Sequence, residues 1–317
     1  MNGQSHMEPV IEIEGLCKDF RAGFWRRRMR VLHSLDLVVH QGEIFGYLGP
    51  NGAGKTTTLK LLTGLILPTA GSAHIMGRDL TDVAAKQHIG FLPENPYFYD
   101  YLTGREFLDF CGRLFGLTAS DRRDRISRLL RLTEMEEAAD RQLRKYSKGM
   151  LQRLGLAQAL VNDPLLVILD EPMSGLDPLG RKAMRDIILQ LKAEGRTIFF
   201  SSHILPDVEV LCDRVGILVA GQLRDVGRLD QILKTETESI ELTLTHVPAE
   251  VVATLQGLAQ TPVLEQPDGV LIRLPDEQRL DMALRAALAA GARVISVVPQ
   301  RVTLEAHFLR EVQGAAR

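Results

Sequence analysis

Eight consecutive residues, Gly49-Pro50-Asn51-Gly52-Ala53-Gly54-Lys55-Thr56, have the makeup of a loop that holds phosphate. Glycines let successive backbone N–H groups curl around an anion without Cβ clashes, and Lys55 adds a point charge toward the outer phosphates. Thr56 then offers a hydroxyl to Mg²⁺, and Thr57 continues the run. A second chemical group closes the apolar stretch Leu165-Leu166-Val167-Ile168-Leu169, which ends in Asp170-Glu171. A buried strand rarely ends on paired acids unless a cation or a reacting water meets them. Asp170 is placed to hold Mg²⁺. Glu171, one residue on and facing the other way by strand alternation, is placed to orient and deprotonate a water attacking a γ-phosphate.

Such groups need rigid elements behind them. The apolar run Ile44-Phe45-Gly46-Tyr47-Leu48 reads as a buried strand feeding the loop, and Leu59, Leu61 and Leu62 mark a helix packed on a sheet behind it. That helix aims the positive end of its dipole at the anion. Strand patterns at 10–16, 31–39 and 43–48 open the chain, and 71–76 with 89–92 add more. Residues 103–159 change to helical spacing, with Phe107, Leu108, Cys111, Leu114 and Phe115 and later Ile126, Leu129 and Leu130 three or four apart. Strand 165–169, helix 178–193 and strand 197–201 form a βαβ unit, the mark of a parallel sheet. A helix at 205–211 and strands at 214–219 and 222–225 complete an α/β domain.

The chain has 317 residues and a formal net charge of −2, enough length for a large core plus an appendage and no general electrostatic reason to bind nucleic acid. Its three cysteines, Cys17, Cys111 and Cys212, are far apart and lack metal-ligand spacing, so free thiols in a reducing cytoplasm are expected. No apolar stretch reaches the ~18 to 20 residues needed to cross a bilayer. Residues 1–9 read as a disordered N-terminus, 10–228 as the nucleotide domain with a helical subdomain over about 103–160, and 229–317 as an accessory domain. The accessory pattern, β, α, β, β, α, β over 239–299, predicts a small ferredoxin-like α+β fold followed by a last helix at 303–312.

With these groups in order, the chain resembles the ATP-binding-cassette family from about residue 10 to 226. Tyr146-Ser147-Lys148-Gly149-Met150 stands where that family carries its signature, commonly Leu-Ser-Gly-Gly-Gln. Ser147 and Gly149 are kept, while Tyr146, Lys148 and Met150 replace the other three. Alone, the segment is a helix cap; its place before the Asp170-Glu171 strand makes it specific. Met173-Ser174-Gly175-Leu176-Asp177 matches the family's D-loop, and it is also a turn with Asp177 capping a helix that begins at Pro178. His203, in Ser201-Ser202-His203, matches the switch histidine that contacts the γ-phosphate. Glu94 stands where most members have the Q-loop glutamine that senses Mg²⁺; a carboxylate keeps the acceptor oxygens and loses the amide donor. Phe20, after the first strand pattern, is the candidate to stack on adenine, with a hairpin core role equally open.

The resemblance implies ATP and Mg²⁺ as cofactors, with Ser147, Lys148, Gly149 and Asp177 facing the nucleotide of a second copy or a paralogous ATPase in a head-to-tail dimer. It implies separate transmembrane permease subunits and a place on the cytoplasmic face of the membrane. The variant signature, the Leu92-Pro93-Glu94 loop and the C-terminal domain look like the export branch. A soluble cassette ATPase working on DNA or ribosomes is the alternative, although neither a second cassette nor a coiled-coil insert is present; a monomeric P-loop kinase is weakened by Glu171 and the signature. Two basic clusters, Arg26-Arg27-Arg28 beside Phe24, Trp25 and Arg30, and Arg122 to Arg131, read as solvated surface, the first also as a contact for anionic lipid.

Overall fold

In the computed structural model, residues 8–22, 27–233, 237–266, 269–301 and 303–314 are described. Two long strands open the chain, β1 (Pro9–Ala22) and β2 (Arg27–His40), followed by β3 (Ile44–Leu48), the phosphate loop and α1 (Lys55–Leu62). Next come β4 (Ala70–Ile75), β5 (Arg78–Asp79), α2 (Val83–Lys86) and β6 (Ile89–Leu92). The helical stretch holds α3 (Gly104–Leu114), α4 (Ala119–Leu132) and α5 (Lys148–Ala159). The chain then returns through β7 (Leu166–Asp170), α6 (Pro178–Ala193), β8 (Thr197–Ser202), α7 (Leu205–Leu211), β9 (Arg214–Val219), β10 (Gln222–Arg228) and α8 (Leu229–Leu233). The last part carries β11 (Thr237–Thr245), α9 (Ala249–Leu258), β12 (Leu264–Gln266), β13 (Gly269–Leu274), α10 (Glu277–Ala289), β14 (Arg293–Arg301) and α11 (Leu304–Gly314).

The central sheet has the order β10-β9-β3-β8-β7-β6. Strands β9, β3, β8, β7 and β6 run parallel, and β10 turns back antiparallel. Every residue of β3, β7 and β8 is buried, as expected of parallel strands covered on both faces. Because β3, β8 and β7 are neighbours, their carboxyl ends place the phosphate loop, Ser201 to His203 and Asp170-Glu171 side by side. That edge is where ligands bind in open parallel sheets.

A second sheet, β2-β1-β4-β5, is antiparallel throughout and shares the main core with β3 and β8. The core stacks Phe45 on Phe199 with ring centroids 5.6 Å apart, and Tyr47 against Phe199 at 5.3 Å. The buried Tyr47 hydroxyl meets Thr58 Oγ1 at 3.2 Å, and burial raises its pKa well above the ordinary phenol.

The structure changes several expectations. The first two strands extend past 10–16 and 31–39 into one long hairpin, so Pro9 is strand rather than disordered terminus and Phe20 lies within β1, paired with Met29. Phe24, Trp25 and Arg26 lie outside the described residues. Arg28 belongs to β2, and Arg30 pairs with Asp19 at 2.8 Å. Four of the five arginines of α4 reach an acidic group, Arg122 to Asp109 at 2.6 Å, Arg125 to Asp163 at 3.6 Å, Arg128 to Glu194 at 2.8 Å and Arg131 to Glu136 at 3.9 Å, while Arg128 and Arg131 keep the exposure of a solvated surface. Sequence charge alone did not show these partners, which come from other elements. The short elements β5, α2 and α8 were missed because stretches this brief carry no periodicity.

The chain divides into two compact units at Leu229/Asp230, the second running to Arg310. The second unit's sheet has the order β12-β13-β11-β14 with every neighbour antiparallel. Its first strand lies between its third and fourth, the ferredoxin-like order that its β, α, β, β, α, β pattern predicts. Leu242, Leu244, Val270, Ile272 and Leu274 from one sheet face meet Leu255, Ala283 and Ala287 from α9 and α10 to form its core.

Candidate functional site

Lys55 begins α1, and the residue before it, Gly54, has φ +110, a backbone region that side chains avoid. The lysine, 6% exposed, folds back over the loop and donates from Nζ to the carbonyl of Gly49 at 2.6 Å. A cleft of about 630 Å³ opens beside it, lined by Pro50, Asn51, Gly52, Gly54, Lys55, Thr56 and Thr57 of the loop with Glu94, Glu171, Ser174 and His203.

Behind the loop the carboxylates are wired to their surroundings. Ser201 Oγ donates to Asp170 Oδ1 at 2.7 Å and accepts from the Glu171 backbone N–H at 3.0 Å. Thr56 Oγ1 stands 3.3 Å from the same Asp170 oxygen. The Glu171 carboxylate is shared: Oε1 lies 3.3 Å from Lys55 Nζ, and Oε2 lies 2.7 Å from His203 Nδ1. Glu171 is not placed by strand alternation as the sequence pattern suggested. It follows the end of β7 in a left-handed conformation, φ +48, and this turn swings its side chain toward Lys55 and His203. A non-glycine residue held there costs about 1 kcal/mol or more, a strain found at sites that need a particular geometry.

The signature segment forms a second cleft of about 440 Å³. It is lined by Glu134, Ser147, Lys148, Gly149, Arg153, Gly175, Leu176, Asp177, Leu179, Gly180 and Ala183. None of the described residues lines both clefts. Ser147 caps α5, its Oγ accepting from Met150 N–H at 3.3 Å, and Asp177 caps α6, its Oδ1 accepting from Gly180 N–H at 2.9 Å. Tyr146 is buried and donates to the Ala138 carbonyl at 2.6 Å, which anchors the segment to the helical insert.

The structure thus gathers Lys55, Thr56, Thr57, Glu94, Asp170, Glu171 and His203 in one place and Ser147, Lys148, Gly149 and Asp177 in another. Phe20 lines neither cleft; its ring is 37% exposed with Lys18 Nζ 5.1 Å from the centroid. Sequence reasoning missed Ser201 as the link between the two carboxylates. The signal was present, a small hydroxyl residue on the strand beside β7, but only the register Asp170↔Ser201 gives it meaning.

A parallel α/β sheet with a phosphate loop on β3 and carboxylates on β7 defines a P-loop nucleoside triphosphatase. The family model described as ABC transporter matches residues 32–174. An uncharacterised ABC transporter ATP-binding protein of Nostoc sp. is 47% identical over 312 residues, spanning 96% of this chain and 90% of its own length. A bacitracin transport ATP-binding protein of Bacillus licheniformis is 35% identical over 286 residues, 88% of this chain and 92% of that one. A solved ATP-binding subunit of an ABC transporter superposes with a TM-score of 0.63 at 34% identity, covering 70% of this chain and 91% of its own. The chain belongs to the ABC transporter ATP-binding family, whose members bind and hydrolyse ATP.

Proposed function

We propose that the chain is the ATP-hydrolysing subunit of an ABC exporter, in which two copies, or one copy and a paralogue, close head to tail on two ATP molecules and drive separate membrane-spanning subunits. The observation that carries this reading is the division of the site residues between two clefts with no lining residue in common among the described residues. A nucleotide held by Lys55 meets Ser147 and Gly149 only when another subunit brings them.

In the first cleft the loop N–H groups, Lys55 and the α1 terminus bind and orient the phosphates. The oxygens of Thr56 and Asp170, 3.3 Å apart beside the loop, suit Mg²⁺, which prefers hard oxygen donors and keeps phosphates among its ligands. When bound, the ion would neutralise charge on the phosphate oxygens. Glu171 takes the proton of the attacking water, while His203 holds its other oxygen and faces the γ-phosphate. Glu94 lines the same cleft, and its loop runs on into a groove of about 960 Å³ on the helical insert, lined by Tyr99, Tyr101 and Phe110 with Arg105, Arg113 and Arg123. An exposed aromatic groove one loop away from the nucleotide suits a membrane subunit that must feel its state.

No helix among the described residues is long and apolar enough to cross a membrane, so attachment to the cytoplasmic face would run through those subunits. Transport is supported by the similarity to the bacitracin transport protein, and the export direction rests on the variant signature, the Leu92-Pro93-Glu94 loop and the C-terminal unit. The test is Glu171→Gln in the full chain. ATP binding by calorimetry is expected to persist, hydrolysis to fall at least ~100-fold, and an ATP-dependent dimer to accumulate. Wild-type turnover in that variant refutes the assignment of the base.

A further inference from the structure

Among the described residues, three buried side-chain atoms have no hydrogen-bond partner: Gln152 Nε2, Arg196 Nε and Asp207 Oδ2. Two of them belong to side chains anchored through other atoms. Arg196 donates from its two Nη atoms to Asp163 and the Pro164 carbonyl, and Asp207 Oδ1 accepts from Arg185 at 3.3 Å. Gln152 has no such anchor, although its residue is only 3% exposed. A buried amide N–H left without an acceptor is unfavourable, and such a group marks a strained place or a second arrangement in which the donor is met.

The place of Gln152 on α5 shows which acceptors are near. Gly155 and Ala159 follow it on the same helix face, at the three- and four-residue steps that stack one turn on the next. That face packs on β6 and the loop beyond it. A Cβ built on Gly155 would come within 2.7 Å of Leu92 Cδ1 and 3.4 Å of Pro96 Cγ, and one built on Gly90 would overlap the Ala159 carbonyl. The helix thus crosses the strand with Ala159 over Gly90 and Gly155 over Leu92 and Pro96. One turn nearer the start of α5, Gln152 stands level with the loop between Leu92 and Pro96, which carries Glu94. Pro93 and Pro96 bring carbonyls and no N–H, so this loop is rich in acceptors. Glu94 itself is exposed and lines the nucleotide cleft.

We infer that Gln152 is a positioning residue for the Glu94 loop, its amide being the donor that a carbonyl of residues 93–95 meets when nucleotide fills the cleft. The loop then has two positions. In the one described here the donor is idle; in the other it is met, and Glu94 is fixed against the nucleotide. Resting on the place given to Glu94 in the nucleotide cleft, this makes a buried residue that lines neither cleft a part of the hydrolytic step.

The experiment is Gln152→Met in the full chain, which keeps the length and unbranched shape of the side chain and removes the amide. Without nucleotide, the thermal midpoint of the nucleotide-binding unit is expected to rise by about 3 °C, because an unmet buried donor is gone. The kcat for ATP is expected to fall about tenfold, with KM within about a factor of two of wild type. A residue that only packs, or whose bond is already made, would not move stability and turnover in opposite directions. A midpoint that stays level or falls overturns the inference, as does an unchanged kcat or a loss confined to KM. Glu94→Ala, measured alongside, separates the two readings. If it hydrolyses ATP like the wild type, Glu94 has no place in the chemistry of the cleft and both readings fall; if it is impaired while Gln152→Met is not, the inference alone falls. Should Gln152→Met fail to fold, hydrogen exchange over residues 92–98 of the unaltered chain decides. Exchange there is expected to slow several-fold when a non-hydrolysable ATP analogue is added, and an unchanged rate overturns the two-position loop.

Discussion

The two clefts of the nucleotide-binding unit contain similar side chains and use them differently. In the phosphate-loop cleft three charged groups are met inside the same chain: Lys55 by Gly49 and Glu171, Asp170 by Thr56 and Ser201, Glu171 by His203. These groups sit on or beside strands that are fully buried, and Asp170 is 1% exposed. In the signature cleft Ser147 and Asp177 are spent on capping their own helices, and Lys148 carries a charge with no carboxylate partner among the described residues. The first arrangement is rigid and self-consistent before any partner arrives. In the proposed dimer, the second becomes a site when another subunit supplies the anion.

The contrast can be broken first at Lys55. Lys55→Ala strips Glu171 of a buried partner and the phosphates of their point charge, and ATP affinity by calorimetry is expected to drop about 100-fold. Affinity within a factor of a few of wild type would mean that the lysine serves the chain's own carboxylate and not the nucleotide. Next in size is Ser201→Ala, which leaves a buried Asp170 oxygen short of a donor and the Glu171 N–H short of an acceptor. About 1–3 kcal/mol of unfolding free energy is expected to go in a denaturant titration, and turnover with it. Unchanged stability would show that the two carboxylates hold their places without this link.

The smallest effect is expected in the second cleft. Ser147→Ala removes the α5 cap at a cost of about 1 kcal/mol and lowers turnover in a way that depends on protein concentration, since the defect lies in closure. The comparison is sharpened by measuring hydrolysis across a dilution series for all three proteins. A defect in Ser147→Ala that stays constant while the other two vary with concentration would invert the roles given to the clefts.

Much of this was legible along the chain. The loop Gly49 to Thr56, the paired acids Asp170-Glu171 and the cap residues Ser147 and Asp177 are local patterns, each tied to backbone geometry over a few residues. The ferredoxin-like order of the second unit was legible because six elements of alternating type leave few ways to pair four strands. Phe20 lies within the first strand rather than after it because nothing local marks where a two-stranded ribbon stops; β1 runs to Ala22 through pairing with β2. The partners of the α4 arginines lie on α3, on α6's end and in the loop before β7, far apart in sequence.

The sequence by itself determined which chemistry is available here: a lysine and glycines for phosphate, hard oxygens for Mg²⁺, a carboxylate for a water, and hydroxyl and ammonium groups in a second segment. Period, spacing and turn residues are local properties, so they survive reading one residue at a time. Tertiary structure alone decided which of these groups meet. Strand order places β8 between β3 and β7 and so inserts Ser201 between the carboxylates, the left-handed turn at Glu171 hands its oxygens to Lys55 and His203, and Gly175 makes room for Lys148. Those are relations between residues distant in sequence, created by burial and backbone pairing rather than by any residue's own preference.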